Sequence, residues 1–190
     1  MSLPLCFDLP ATINVKLLHH PSRGLDINGE ISPDENGGFR SIMINVQSDL
    51  SIEIYMTGVT VKEGQTSTHY STLTQVTAGS VTVIIRDKDI DVSIGDVRLV
   101  ILGHEISGRK FLWPVFRQLP LDDKAEGVLV VNLDYEEETG AASTVKVNGQ
   151  EVTVSRSSAT DYSVPVPITV DCWLLSAQAA FQRPSTHFYN

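Results

Sequence analysis

The sequence predicts an all-β protein: an antiparallel β-sandwich or jelly-roll-like fold with about twelve short strands and little helix. Three observations support this prediction. Apolar and polar residues alternate over many short runs, Gly- and Pro-containing turns separate the runs, and no long segment has the period of an amphipathic helix. We expect residues 1–190 to form a single β domain. Two small β domains are the alternative, although no clear linker divides the chain.

Strands with one buried and one solvated face are predicted where the alternation is regular, at residues 13–17, 42–46, 52–56 and 90–94. Runs that are apolar on both faces are typical of central strands covered on both sides. Such runs are found at residues 81–85, 97–102 and 128–133. Further strands are expected at 70–76 and 168–175. The one helix candidate, 174–183, could equally continue the preceding strand.

The most specific local prediction is a hairpin over residues 144–154. Asn148-Gly149 favours a two-residue turn, because both turn positions need a positive φ angle. That turn sets Val147 opposite Gln150, Lys146 opposite Glu151, and Val145 opposite Val152. The valines then share one face and an opposite-charge pair lies on the other, so turn chemistry and hydrophobic pattern agree.

The charge balance excludes two classes of partner. There are 23 acidic and 14 basic residues, which gives a net charge of −9. Nucleic-acid binding and docking on anionic lipid both depend on an excess of Lys and Arg, so neither is expected. No apolar run approaches the roughly 18 residues of a membrane span, and no signal peptide is expected at the N-terminus.

Cysteine usage bears on compartment and on cross-linking. Cys6 and Cys172 lie far apart and belong to no C-x-x-C pair, so we expect a fold that does not depend on a disulfide. The chain also has no N-x-[ST] glycosylation acceptor. Together these features favour a cytoplasmic or otherwise intracellular protein.

The motifs of common enzymes are absent or incomplete. Residues 103–110 have the G-x-x-x-x-G spacing of a phosphate-binding loop, but Arg109 and Lys110 stand where Lys and Ser or Thr belong. We therefore interpret the segment as an ordinary connection between strands. His19 and His20 are expected to point to opposite faces of a strand end and to be solvated. No cofactor is expected, and a catalytic role is disfavoured.

Asp87, Asp89 and Asp91 begin like a calcium loop, but the chain departs from the EF-hand pattern at Val92 and Arg98. On a strand these three carboxylates would line one solvated face. They form at most a weak calcium site, together with Asp96.

Aromatic residues supply the candidate interface. Phe111, Trp113 and Phe116 lie in the densest apolar segment, where Pro114 predicts an edge strand or a loop. Such a segment packs in the core or contacts another subunit. Phe188 and Tyr189, near the C-terminus, could form an arm that packs on a neighbour.

Three functional hypotheses follow. The first is a non-catalytic structural or protein-interaction protein that self-associates or binds another protein. The alternative is a domain that binds a glycan or another small ligand, with or without calcium, with Trp113, Trp173 or a tyrosine stacking on the sugar. The second alternative is an enzyme whose carboxylate or His site is assembled from scattered residues.

Overall fold

The computed structural model describes residues 3–7, 14–32, 38–120, 122, 124–128, 133–134, 144–147 and 150–176. Within these ranges the chain forms one turn of 3₁₀ helix and seventeen strands. The strands are β1 (Leu5–Cys6), β2 (Asn14–His20), β3 (Leu25–Ile31), β4 (Phe39–Val46), β5 (Leu50–Tyr55), β6 (Gly58–Glu63), β7 (Thr66–Tyr70), β8 (Thr74–Ala78), β9 (Val81–Ile85), β10 (Asp89–Ile94), β11 (Val97–Ile106), β12 (Arg109–Gln118), β13 (Leu133–Asp134), β14 (Thr144–Val147), β15 (Gln150–Thr153), β16 (Ser155–Asp161) and β17 (Ile168–Leu174). The predicted all-β fold is confirmed.

The number of strands exceeds the prediction of about twelve. The predicted strand at 70–76 is interrupted at Ser71–Leu73, and its two parts belong to β7 and β8. Strand β7 is polar and exposed almost throughout, so it carries no apolar stripe that a sequence pattern could detect. Strand β16 is similar, since none of its side chains is fully buried.

An eleven-stranded sheet contains β2 to β12 and forms most of the described fold. Strands β2 to β7 pair in sequence order, and so do β8 to β12. The two meanders meet where Leu112 of β12 pairs with Phe39 of β4. The outer strands β7 and β8 are joined by Ser71–Leu73, so the sheet nearly closes on itself. Among the described pairs of this sheet, that of β12 with β4 joins strands that are distant in the sequence.

Most of the buried apolar side chains form one cluster. Val100, Leu102, Phe111 and Cys172 are buried outside it. Alternate residues of each strand enter it, as the period-two pattern predicts: Ile42, Ile44 and Val46 on β4 are buried, and their neighbours are half-buried. Val154 and Leu175, at the ends of the smaller sheets, belong to the same cluster.

Alternate connections of an antiparallel meander lie at the same end of the sheet. The β5–β6 turn, Ser71–Leu73 and the β9–β10 turn lie together at one end of the sheet, where they border a groove. We call this end the groove end. The β2–β3 and β10–β11 turns lie at the opposite end, where Arg23 contacts Asp96.

Two smaller sheets complete the described structure. Strands β13, β14 and β15 form one, and β1, β17 and β16 form the other. The β14–β15 hairpin has the predicted register, with Lys146 opposite Glu151 and Val145 opposite Val152. The turn residues 148–149 lie outside the described residues.

The structure contains a disulfide that the cysteine spacing alone did not support. Cys6 and Cys172 are bonded, with their Cα atoms 5.8 Å apart. Parallel pairing of β1 with β17 places Leu5 opposite Trp173 and brings the two cysteines together. Their separation of 166 residues in the chain therefore says nothing about their separation in space.

Among the described residues, no helix is long and apolar enough to cross a membrane. Of the helix candidate 174–183, Leu174 ends β17 and residues 177–183 lie outside the described ranges. Residues 129–132 of the predicted strand 128–133 also lie outside them.

Candidate functional site

A groove of about 490 Å³ opens at the groove end, between the two meanders. Three connections form its walls: Tyr55–Gly58, Ser71–Leu73 and Ile85–Ile90. Its floor consists of Ile101, Gly103 and Leu112. Ile101 and Leu112 also belong to the buried apolar cluster, so the groove reaches the end of the core.

Backbone hydrogen bonds fix the walls. The Arg86 amide donates to the Asp89 carbonyl at 2.9 Å, which closes the β9–β10 turn. The Gly103 amide donates to the Lys88 carbonyl at 2.9 Å and holds that turn against β11. A Cβ atom at Gly103 would lie 3.3 Å from the Met56 methyl carbon, so a glycine here lets the methionine lie flat over the floor.

The groove gathers exposed apolar side chains. Tyr55 is 39% exposed, Met56 38% and Leu73 73%. They are three of the five large hydrophobic side chains that the described residues expose, and all three line the groove. Exposed apolar groups that converge in a concave site are a mark of ligand or partner binding.

The polar rim combines neutralised and free charges. The Arg86 guanidinium lies 2.8 Å from the Asp89 carboxylate and 3.5 Å from that of Asp91. The exposed side chains of Asp87 and Lys88 have no hydrogen-bond or ion-pair partner among the described residues. The rim therefore offers one free cation and one free carboxylate within the described structure, beside the hydroxyl groups of Ser71 and Thr72.

The four candidate calcium ligands do not converge. Asp87 lies on the groove rim, Asp89 and Asp91 contact arginines, and Asp96 contacts Arg23. Among the described residues, no group of three or more His, Cys, Asp or Glu side chains is placed to hold a metal ion. A calcium ion at Asp89, Asp91 or Asp96 would have to compete with a guanidinium group for each of these carboxylates.

Asp91 differs from the solvated carboxylate expected on this strand, because its side chain is only 4% exposed. Arg98 donates to it through Nη2 at 2.6 Å and through Nε at 3.2 Å. The hydrogen bond from Arg98 lowers the pKa of Asp91 below its ordinary value, against the opposing effect of burial. Ion pairing with two arginines therefore makes burial of this carboxylate tolerable.

The aromatic candidates on β12 pack within the chain's own fold. Phe111 is 3% exposed, and its ring centroid lies 5.2 Å from that of Tyr162. Trp113 lies 5.1 Å from Tyr162 and 6.2 Å from Phe39. Phe116 is half-buried against the core. Phe188 and Tyr189 lie outside the described residues.

The expectation that Pro114 marks an edge strand or a loop is wrong for the strand as a whole, because β12 lies between β11 and β4. Strand β12 pairs with β11 along its length, but its other edge meets β4 only at Leu112. A proline beyond that point interrupts no second ladder.

Sequence reasoning missed Tyr55, Met56 and Leu73. The first two end a regular alternation, where they read as ordinary strand residues. Leu73 is a lone apolar residue in the polar run Ser71-Thr72-Leu73-Thr74-Gln75, which was the only signal available. In searches against protein families, curated proteins and solved structures, none matches this chain. Function is therefore inferred from the geometry of the chain itself.

Proposed function

We propose that this chain is a binding protein that holds a small ligand in the groove between Tyr55, Leu73 and Lys88. The observation that carries the proposal is the convergence of three exposed apolar side chains on one concave site above an apolar floor. Its volume of about 490 Å³ falls within the roughly 300–1,000 Å³ typical of small-molecule sites.

The lining favours a ligand with an apolar body and a polar edge. Ile101 and Leu112 offer a floor without hydrogen-bonding side chains, whereas the rim has hydroxyls, a free ammonium group and a free carboxylate. A glycan is one ligand of this kind, because a sugar ring presents an apolar face to an aromatic side chain and hydroxyls to polar groups. Tyr55 and Asp87 are placed for these two roles. The two tryptophans that the sequence also offered for stacking already contact other side chains: Trp113 packs on Tyr162, and the guanidinium of Arg156 lies over Trp173.

The groove is tested with Leu73→Ser and an apolar fluorescent probe, 8-anilinonaphthalene-1-sulfonate. Thr77→Ser is the control, because Thr77 is also exposed and lies outside the groove. We expect the probe to bind, and Leu73→Ser to weaken it about tenfold through lost apolar contact, with no change in the control. Absence of binding, or equal loss in both variants, contradicts the proposal.

The ligand class is tested separately on a glycan array, with and without calcium. Hits that Tyr55→Ala abolishes support a sugar ligand. If the array has no hits while the probe still binds at Leu73, the groove holds a non-sugar ligand.

Self-association is the second candidate function. Val166 and Ile168 are 76% and 52% exposed. Ile168 is the first residue of β17, and Val166 lies two positions before it. Exposed apolar pairs of this kind occur in subunit interfaces. Light scattering after size exclusion should give a multiple of the 20.8 kDa chain mass, and Val166→Ser with Ile168→Ser should return the monomer. A wild-type monomer rules this function out. An oligomer that the double variant leaves intact places the interface elsewhere, with Phe188 and Tyr189 the next candidates.

The disulfide also bears on location. The expected cytoplasmic location depended on the lack of glycosylation acceptors and on the small number of cysteines. Disulfides persist mainly in oxidising compartments, so the Cys6–Cys172 bond favours an oxidising compartment over the cytoplasm.

A further inference from the structure

A second polar cluster lies at the end of the molecule opposite the groove, around the β2–β3 turn. Its centre is His20, the last residue of β2, whose side chain is fully buried. The neighbouring His19 points to the other face and contacts Asp26. The two histidines thus take opposite faces as expected, but the expectation that both are solvated is wrong for His20.

His20 hydrogen-bonds through both ring nitrogens. Its Nε2 lies 2.7 Å from Oδ1 of Asp122, and its Nδ1 lies 3.1 Å from Oγ of Ser22. The pKa of Asp122 is lowered, first by the hydrogen bond from His20, so this carboxylate is ionised at neutral pH. An ionised carboxylate only accepts, which assigns the ring hydrogen to Nε2. Nδ1 faces the Ser22 hydroxyl and accepts its proton in a hydrogen bond when the imidazole is neutral.

Asp122 is itself held in place. Its Oδ2 accepts from the Arg23 guanidinium at 3.2 Å, and its Oδ1 accepts from the Lys124 amide at 3.2 Å. Arg23 also pairs with Asp96 on the β10–β11 turn. The carboxylate that orients His20 is therefore held by its own segment, through Lys124, and by the β2–β3 turn, through Arg23.

This order of groups matches the requirement for an activated hydroxyl nucleophile. A hydroxyl and a base lie within about 2.6–3.2 Å, and a third group orients the base. Ser22 is exposed, so an electrophile can reach its Oγ, whereas the imidazole is shielded from water. The same hydrogen bonds could serve only to rigidify the β2–β3 turn, and Ser22 would then be unreactive. The reactivity of Ser22 towards an electrophile therefore separates the structural role from the chemical one.

We propose that Ser22 is a base-activated nucleophile that accepts acyl groups from small activated esters. Ser22 Oγ bonds to the ester carbonyl carbon as its proton passes to Nδ1 of His20. The bond from that carbon to the leaving oxygen then breaks, and the leaving alkoxide takes the proton from Nδ1. The products are an O-acylated Ser22 and a free alcohol. Asp122 stabilises the imidazolium formed between the two steps.

The test uses the whole protein with p-nitrophenyl acetate and with a fluorophosphonate, read by release of p-nitrophenol and by peptide mass mapping. We expect a single acetylated or phosphonylated residue, Ser22, and loss of the adduct in Ser22→Ala. Asp122→Asn should slow the reaction by about 100-fold or more, because an oriented base contributes that much. Ser80→Ala, at another exposed turn, should change nothing.

Wild-type protein without an adduct at Ser22 overturns the proposal, whatever the variants do. So does Asp122→Asn that is folded by circular dichroism and reacts at the wild-type rate. If Asp122→Asn fails to fold, the wild-type reaction still decides, since an unactivated Ser22 would react no faster than Ser80.

Discussion

Asp91 is a carboxylate that the fold buries and then neutralises. Its side chain is 4% exposed on β10, and it lies within 3.5 Å of both Arg86 and Arg98. Removing a charge from water is unfavourable unless hydrogen bonds and opposite charges compensate for it. The two arginines that compensate for the burial of Asp91 also occupy the carboxylate oxygens that a calcium ion would need.

We therefore expect Asp91→Asn to lower the free energy of unfolding at neutral pH by about 1.5–3 kcal/mol, the range for a hydrogen bond to a charged group. The pKa of Asp91 is lowered in the folded state, so its contribution is present above the pKa of the unfolded chain. The contribution is lost as pH falls through the folded-state pKa. The gap between wild type and variant should thus close on acidification.

Urea unfolding at a series of pH values from neutral to strongly acidic measures this gap. Asp87→Asn is the matched control, because Asp87 is exposed and has no ion-pair partner among the described residues. It should leave the free energy of unfolding nearly unchanged at each pH. A gap for Asp91→Asn that stays constant into acid would show that the charge of Asp91 contributes nothing.

At the scale of elements, the outer edge of β2 is closed by a short segment. The amides of His19 and Val128 donate to the carbonyls of Glu126 and Lys16, at 2.7 and 3.0 Å, and Glu126 returns a bond to His19 at 2.8 Å. Gly127 lies between these bonds with φ 137°. A Cβ atom there would overlap the carbonyl group of Leu17. Covering an edge strand in this way removes a template for pairing with another chain.

Gly127→Ala should destabilise the protein by at least about 1–3 kcal/mol, because it combines a strained backbone with a contact that cannot relax. Gly64→Ala separates the two effects, since Gly64 also has a positive φ, 54°, but nothing lies within 4 Å of its Cβ position. Guanidinium unfolding midpoints should fall more for Gly127→Ala than for Gly64→Ala. Equal midpoints for the two variants would mean that residues 126–128 shift to accommodate the added methyl group at no cost in stability.

Elements that are determined by residues close together in the sequence were predictable. Elements that depend on contacts between residues far apart in the sequence were not. The 144–154 hairpin was predicted to its register because Asn148-Gly149 and the valine pattern lie within eleven residues. Strand β7 was only partly predicted, because Thr66–Tyr70 is stabilised by pairing with β6 and buries almost nothing. His20 and Asp122 lie 102 residues apart, and no local pattern links them. The groove depends on three separate turns meeting, which only the three-dimensional fold determines.

At the scale of the whole molecule, strand pairing and one disulfide join parts of the described chain that are distant in the sequence. The eleven-stranded sheet nearly returns on itself, since its outer strands are joined by Ser71–Leu73. Outside that sheet, the disulfide joins β1, near the N-terminus, to β17. Strand β1 contributes two residues and pairs only with β17. So short a strand contributes few hydrogen bonds, and the covalent bond adds a restraint to these and to the packing of Leu5 and Phe7 against the core.

The disulfide should therefore stabilise the whole fold. A cross-link that spans 166 residues removes much of the freedom of the unfolded chain, and removing such a bond typically lowers the free energy of unfolding by about 2–5 kcal/mol. Replacing both Cys6 and Cys172 with Ser should lower the guanidinium midpoint accordingly. The slope of the transition should rise as well, since an unbonded chain exposes more surface when it unfolds. Dithiothreitol should shift the wild type to the midpoint of the variant and leave the variant unchanged. If both proteins unfold at the same midpoint with and without reductant, the pairing of β1 with β17 is sufficient and the bond adds no stability.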